Sequence, residues 1–127
     1  MKILFPIFGS EVSEGALEKI VELNPTKVIV LLVVDSNDST RKPFGFMPSD
    51  INEGQLMQED LKEWFLEKKI FCQTQFEWGN VVEKIAIISR REAIDLIALT
   101  KESNKLFYFF VEELGKKVNC KIQIFDE

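Results

Sequence analysis

The chain has 127 residues, 46% of them hydrophobic and none of them histidine, with a formal net charge of −5. This length and apolar content fit one domain around one core, expected to span residues 1–127. The acidic balance argues against a nonspecific nucleic-acid binder, which needs clustered Lys and Arg, and the missing histidine removes the commonest general base and the commonest zinc ligand.

The basic pairs Arg90-Arg91 and Lys116-Lys117 stand beside acidic residues and read as solvated helix faces. Cys72 and Cys120 are isolated in apolar runs, which predicts buried, reduced thiols rather than a disulfide framework. The opening MKILFPIFG is broken by Pro6 and Gly9, and no run is long enough to cross a bilayer. A cytoplasmic protein with no membrane partner is expected.

Taken in order, Lys2 to Phe8 reads as a buried first strand entering a turn at Gly9-Ser10. Ser10 is expected to cap a helix whose apolar stripe is Val12, Ala16, Ile20 and Leu23, ended by Asn24-Pro25. Lys27 to Val34 is a second, continuously apolar strand, so strand, helix and strand form a parallel βαβ unit with a right-handed crossover. The segment from Ser36 to Ser49 is rich in turn formers and carries Phe44, Phe46 and Met47. These three either fold back over the end of the sheet or form a lid or docking surface.

A long helix is expected over Asp50 to Lys69, with Asp50 and Glu53 in capping-box spacing and Met57, Leu61, Trp64 and Phe65 on one face. Gly54 weakens its first turns. Ile70 to Trp78 alternates apolar and polar residues and reads as an edge strand. Asn80 caps the next helix, with Glu83 in the matching position and Val82, Ile85, Ala86 and Ser89 inward. Ile94 to Leu99 then reads as a buried interior strand. The loop that follows it, Thr100 to Lys105, falls where open α/β sheets bind ligands. Leu106 to Val118 holds Phe107, Phe110, Val111 and Leu114 at helical spacing, and Cys120 to Phe125 alternates as a closing strand. The fold class is α/β: a three-layer α/β/α sandwich with a five-stranded parallel sheet and four helices.

These runs resemble the universal stress proteins. Lys2 to Glu11 resembles that family's opening I-L-V-P-V-D-G-S, and Val30 to Asp35 its second strand. Gly79 to Ile85 resembles its G-x-x-x-E-x-I helix start, Ala93 to Leu99 its A-D-L-I-V-M-G, and Val118 to Ile124 its closing A-P-C-P-V-L-V. The resemblance implies an adenine nucleotide α-hydrolase-like fold and a homodimer in which the last strand, Lys121, Ile122, Gln123, Ile124 and Phe125, meets its twin.

Family members that bind ATP carry an acidic residue before the first Gly-Ser and a G-x-x-G loop followed nine residues later by Gly-Ser or Gly-Thr. Glycines let backbone amides approach phosphates, and the next helix offers them its positive end. Here Phe8 stands at the acidic position, Thr100 and Ser103 replace the glycines, and Phe109-Phe110 lies nearest to the final pair. The resemblance thus implies a member without a nucleotide cofactor, ATP and Mg²⁺ being disfavoured.

A residual ligand pocket would draw on Phe8, Gly9, Ser10, Val34, Asp35, Thr100, Lys101, Ser103 and Lys105. The hydroxyls and lysines of the Thr100 to Lys105 loop either hold a small anion or are simply solvated. Asp35 and Asp38 either bind Mg²⁺ or serve turn chemistry, and Asp95 reads as structural. No catalytic residues are assigned. The function expected is a regulatory or stress-response binding protein that acts through an unknown protein partner. The alternative is an ATP-binding switch with weak hydrolysis through a non-standard phosphate loop, and a true enzyme of the wider fold is the third reading.

Overall fold

The computed structural model describes residues 1–35 and 44–126. Five strands, β1 (Lys2–Pro6), β2 (Lys27–Val34), β3 (Cys72–Trp78), β4 (Leu96–Thr100) and β5 (Lys121–Phe125), form one sheet in the order β3-β2-β1-β4-β5. Every pairing is parallel; Leu4, for example, is in register with Ile29 on one side and Ile97 on the other. The chain winds outward from β1 to β3, then crosses back to β4, so the reversal point lies at the carboxyl ends of β1 and β4.

The two faces of the sheet are covered separately. Ile3, Phe5, Val28, Val30, Leu32 and Leu96 point to α1 (Glu14–Glu22) and α2 (Ile51–Glu67), where Ile20 and Phe65 are completely buried. Leu4, Ile29, Leu31, Val33, Ile97 and Leu99 point the other way, to α3 (Val81–Arg91) and α4 (Phe107–Gly115). This two-residue alternation, apolar on both sides, is what a doubly covered parallel sheet requires. Full burial of each such side chain contributes about 1.5–3 kcal/mol.

Gly54 has a packing role within α2. A Cβ there would lie 2.9 Å from Leu32 Cδ1 and 3.0 Å from Phe46 Cε2, so its absence lets the helix settle onto β2. Next to it the buried Gln58 donates from Nε2 to the carbonyls of Val30 (3.0 Å) and Gln75 (2.8 Å), tying α2 to both strands beneath it.

Element order, strand directions and layers match the sequence reading, while several ends differ. The first strand stops at Pro6, β3 starts at Cys72 rather than Ile70, and β4 covers Leu96–Thr100 rather than Ile94 to Leu99. Ser10 does not cap α1. The cap is Ser13, in extended backbone, whose hydroxyl accepts from the Ala16 amide at 3.1 Å. Asp50 makes no side-chain capping bond, because the one-turn helix Pro48–Asp50 runs straight into α2 and leaves Asp50 outside the extended geometry a cap needs. Asn80 does cap α3, accepting from Glu83 N at 3.0 Å. Asp95 is structural, its carboxylate accepting from the Lys2 amide at 2.7 Å. Cys72 is buried, but Cys120 is only partly so. No described helix is long and apolar enough to cross a membrane.

Candidate functional site

At the carboxyl ends of β1 and β2 the backbone turns outward and delivers Phe8 and Asp35, both buried. Phe8 follows Leu4 and Pro6 by alternation and therefore faces α3 and α4. Just beyond, Phe46 forms a bridge to Val34: the Asp35 amide donates to Phe46 O at 3.0 Å, and the Phe46 amide to Val33 O at 2.9 Å. This short pairing returns Phe44 to the sheet end, where Phe107 and Phe110 arrive from the first turns of α4.

The four rings make one cluster. Phe8 meets Phe44 edge-on at 5.7 Å and Phe110 at 5.6 Å, Phe44 stacks on Phe110 at 4.6 Å, and Phe107 lies 6.1 Å from Phe44. Such edge and offset geometries are the favourable ones for aromatic pairs, each worth about 0.5–1.5 kcal/mol beyond burial. Of the two sequence readings of the Phe44 to Met47 segment, Phe44 and Phe46 follow the first and cover the end of the sheet, whereas Met47 is exposed.

The residues named from the sequence as one residual pocket do not gather in one place. Phe8 and Asp35 lie towards α3 and α4, while Val34 packs into the core beneath α1 and α2. Ser10, Thr100, Lys101 and Ser103 line a separate polar depression of about 760 Å³ beside α1. Gly9 opens onto a third hollow with Glu53 and Asp60 from α2, and Lys105 is exposed. Asp38 lies outside the described residues.

The polar depression is not built for an anion. Ser10 donates its hydroxyl to Glu102 Oε1 at 2.6 Å, and Lys101 pairs with Asp126 at 3.6 Å. Glu11 and Glu14 complete an acidic wall. Among the described residues no group of three or more His, Cys, Asp or Glu side chains is placed to hold a metal ion.

A groove of about 260 Å³ opens over the aromatic cluster, between the start of α3 and the face of α4. Phe44 and Phe110 contribute to it with Val81, Val82, Leu106, Phe109 and Glu113. Of these, only Phe44, Phe110 and Val82 stand out in the sequence as inward or covering residues. Periodicity shows that Phe107 and Phe110 point inward, but not that Phe110 meets Phe8 or that Phe107 lies against Phe44.

Residues 1–113 match the model of the universal stress protein family. No curated protein matches. Among solved structures, the hypothetical protein MJ0577 is 20% identical, with a TM-score of 0.75 over 99% of this chain and 95% of its own. The universal stress protein from Archaeoglobus fulgidus in complex with dAMP is 12% identical, with a TM-score of 0.68 over 98% and 97%. The Arabidopsis thaliana family protein At3g01520 with AMP bound is 18% identical, with a TM-score of 0.60 over 99% and 91%. With the family model matched over residues 1–113, the chain belongs to the universal stress protein family.

Proposed function

We propose that the protein is a regulatory or stress-response binding member of its family, working through protein contacts as a homodimer and without a nucleotide. The observation that carries this reading is the packed cluster of Phe8, Phe44, Phe107 and Phe110 at the reversal point of the sheet. A ligand entering there must displace a buried ring, at a cost of about 1.5–3 kcal/mol of lost burial for each one. The loop after β4 adds to this. Thr100 and Ser103 hold Cβ atoms where glycines would let amides close on phosphates, and Glu102 presents a carboxylate beside Ser10. For the dimer, β5 supplies an open edge through Lys121, Ile122, Gln123, Ile124 and Phe125.

Two measurements test the reading. Isothermal titration with ATP and Mg²⁺ is expected to give no binding heat, and light scattering is expected to give about twice the chain mass of 14.7 kDa. A micromolar ATP constant would overturn the first part, and a monomer at micromolar concentration the second.

The second reading is an ATP-binding switch with weak hydrolysis. It draws on the Archaeoglobus and Arabidopsis relatives, which carry dAMP and AMP. The same titration separates the two.

A further inference from the structure

We propose that the open edge of β3 takes up an extended segment of a partner protein as an added strand, one in which β-branched or aromatic residues alternate with small polar ones. Such a segment would be the partner in the function proposed above, so the assignment rests on that reading, though not on the homodimer.

The first observation is the direction of the backbone groups. The Val28 amide donates to Phe71 O at 2.9 Å and the Gly79 amide to Val34 O at 2.9 Å, so the odd-numbered residues of β3 turn their amides and carbonyls to β2. Cys72, Thr74, Phe76 and Trp78 therefore turn theirs outward. β3 ends the sheet, and among the described residues no strand pairs with its other side. A line of evenly repeated donors and acceptors is matched by another extended backbone and by little else.

The second observation is the lack of protection. Edge strands are commonly blunted by lysine, proline, a bulge or shortness. β3 has seven residues in unbroken register with β2, and its sequence, CQTQFEW, contains neither lysine nor proline. Its one charged residue, Glu77, is engaged by Lys84 at 3.7 Å and Arg91 at 3.8 Å. β5, in contrast, has five residues and opens with Lys121. Gln58, which bonds to the carbonyls of Val30 and Gln75, fixes β3 against β2, so the edge is a preformed template.

Side chains set the pattern of the guest. On the α2 side the partly buried Phe76 meets Trp78 edge-on at 5.7 Å, which suits apolar or aromatic neighbours across the pair. On the α3 side stand Gln73, Gln75 and Glu77, which suit small polar ones. The stretch from Cys72 to Phe76 runs beside Val28 to Leu32, so it lies down the sheet from the Asp35 end.

The probe is a short peptide alternating threonine and valine, with a lysine at each end, titrated into ¹⁵N-labelled protein. It is expected to bind with a dissociation constant below about 1 mM and to shift the Thr74 and Phe76 amides. Two forms, N-methylated on every valine or on every threonine, separate edge pairing from apolar adhesion. Only one alternate set of peptide amides can face β3, so one form should lose binding and the other keep it. In the free protein the Thr74 and Phe76 amides should exchange fast while Gln73 and Gln75 are protected. At four times the dissociation constant the outward pair should slow about five-fold. Thr74→Pro removes an outward donor, leaves the ladder to β2 complete and should weaken the peptide at least about ten-fold. Where that variant loosens β3, exchange in the parent protein still decides.

Equal binding of the two methylated forms would overturn the proposal, as would shifts confined to β5 or no response to the parent peptide. Assemblies that grow with protein concentration and vanish in Thr74→Pro would assign the edge to a second copy and overturn it too. The ATP titration tests the protein-contact reading by itself, so a silent peptide together with no nucleotide heat sinks the edge alone.

Discussion

Phe44 lies over Phe110 with ring centroids 4.6 Å apart and planes tilted by 30°. The chain that returns from β2 and the first turns of α4 are therefore locked together across the reversal point of the sheet, with Phe8 edge-on to both rings. The contact joins three segments far apart in sequence, so its loss should be felt globally. Phe110→Ala is expected to cost about 3–5 kcal/mol. Phe8→Asp, which supplies the acidic residue of the ATP-binding pattern, should also cost about 3 kcal/mol or more without creating nucleotide binding. Its carboxylate would be set among rings with no partner. Urea unfolding with an unchanged slope measures both. A cost under about 1 kcal/mol for Phe110→Ala would show that the cluster is not a packed unit.

The capping of α1 separates two serines that look alike in sequence. Ser13→Ala should lose about 1 kcal/mol because the Ala16 amide loses its acceptor. Ser10→Ala removes only an exposed hydroxyl bonded to Glu102 and should stay within about 0.5 kcal/mol. Thermal or urea unfolding of the pair gives the order, and equal effects would contradict it.

What the sequence disclosed and what it withheld follow from the range of the forces involved. Val28 to Val34 could only be a doubly covered strand, and Ile85 and Ala86 could only face inward, because burial imposes a period on neighbouring residues. Ser10 and Asp50 misled because a cap is decided by backbone angles at one residue, and both Ser10 and Ser13 carry the right side chain. Phe8, Thr100 and Ser103 stand in the sequence where the ATP-binding pattern has an acidic residue and two glycines. That Phe8 meets Phe44 and Phe110 was not legible, since these contacts depend on three turns arriving together. The groove lined by Glu113 and Phe109 was hidden for the same reason.

Ala93 is a stabilising opportunity. It follows α3 with φ at 52°, in the left-handed region, while its amide donates to Arg90 O at 3.2 Å and the Ile94 amide to Ser89 O at 2.9 Å. Glycine reaches this conformation without the Cβ penalty, and Ala93 is exposed, so no packing is lost. Ala93→Gly is expected to raise stability by about 0.5–1 kcal/mol. A lower unfolding midpoint would refute the assignment of strain.

Burial pushes the Cys72 thiol up to about 12 from an ordinary value near 9, with Lys62 opposing and Glu59 adding weakly. The folded state then keeps a proton that the unfolded chain releases, so the native state binds more protons between those two values. Stability should be fully present below pH 9 and fall as pH rises toward 12. Cys72→Val should flatten that part of the profile relative to the parent protein. At pH 8, iodoacetamide followed by mass spectrometry should modify the partly exposed Cys120 first and Cys72 only after unfolding. Prior modification of Cys72 would contradict its burial.

The edge at β5 bears directly on the proposed homodimer. The Lys101 amide donates to Phe125 O at 3.0 Å, so Phe125 directs its backbone groups to β4. By alternation Ile122 and Ile124 direct theirs to the open edge. A twin strand docking there in antiparallel fashion needs those amides, whereas the link to β4 does not. Ile124→Pro should therefore remove one intermolecular donor and restrict the edge, converting the dimer to a monomer while far-UV dichroism is retained. Gln123→Pro faces β4 and should unfold the strand instead. Light scattering and dichroism on the two variants distinguish these outcomes. A dimer that survives Ile124→Pro would place the interface on another surface, of which the exposed face of α4 around Tyr108 and Phe109 is the most apolar alternative on that side of the sheet.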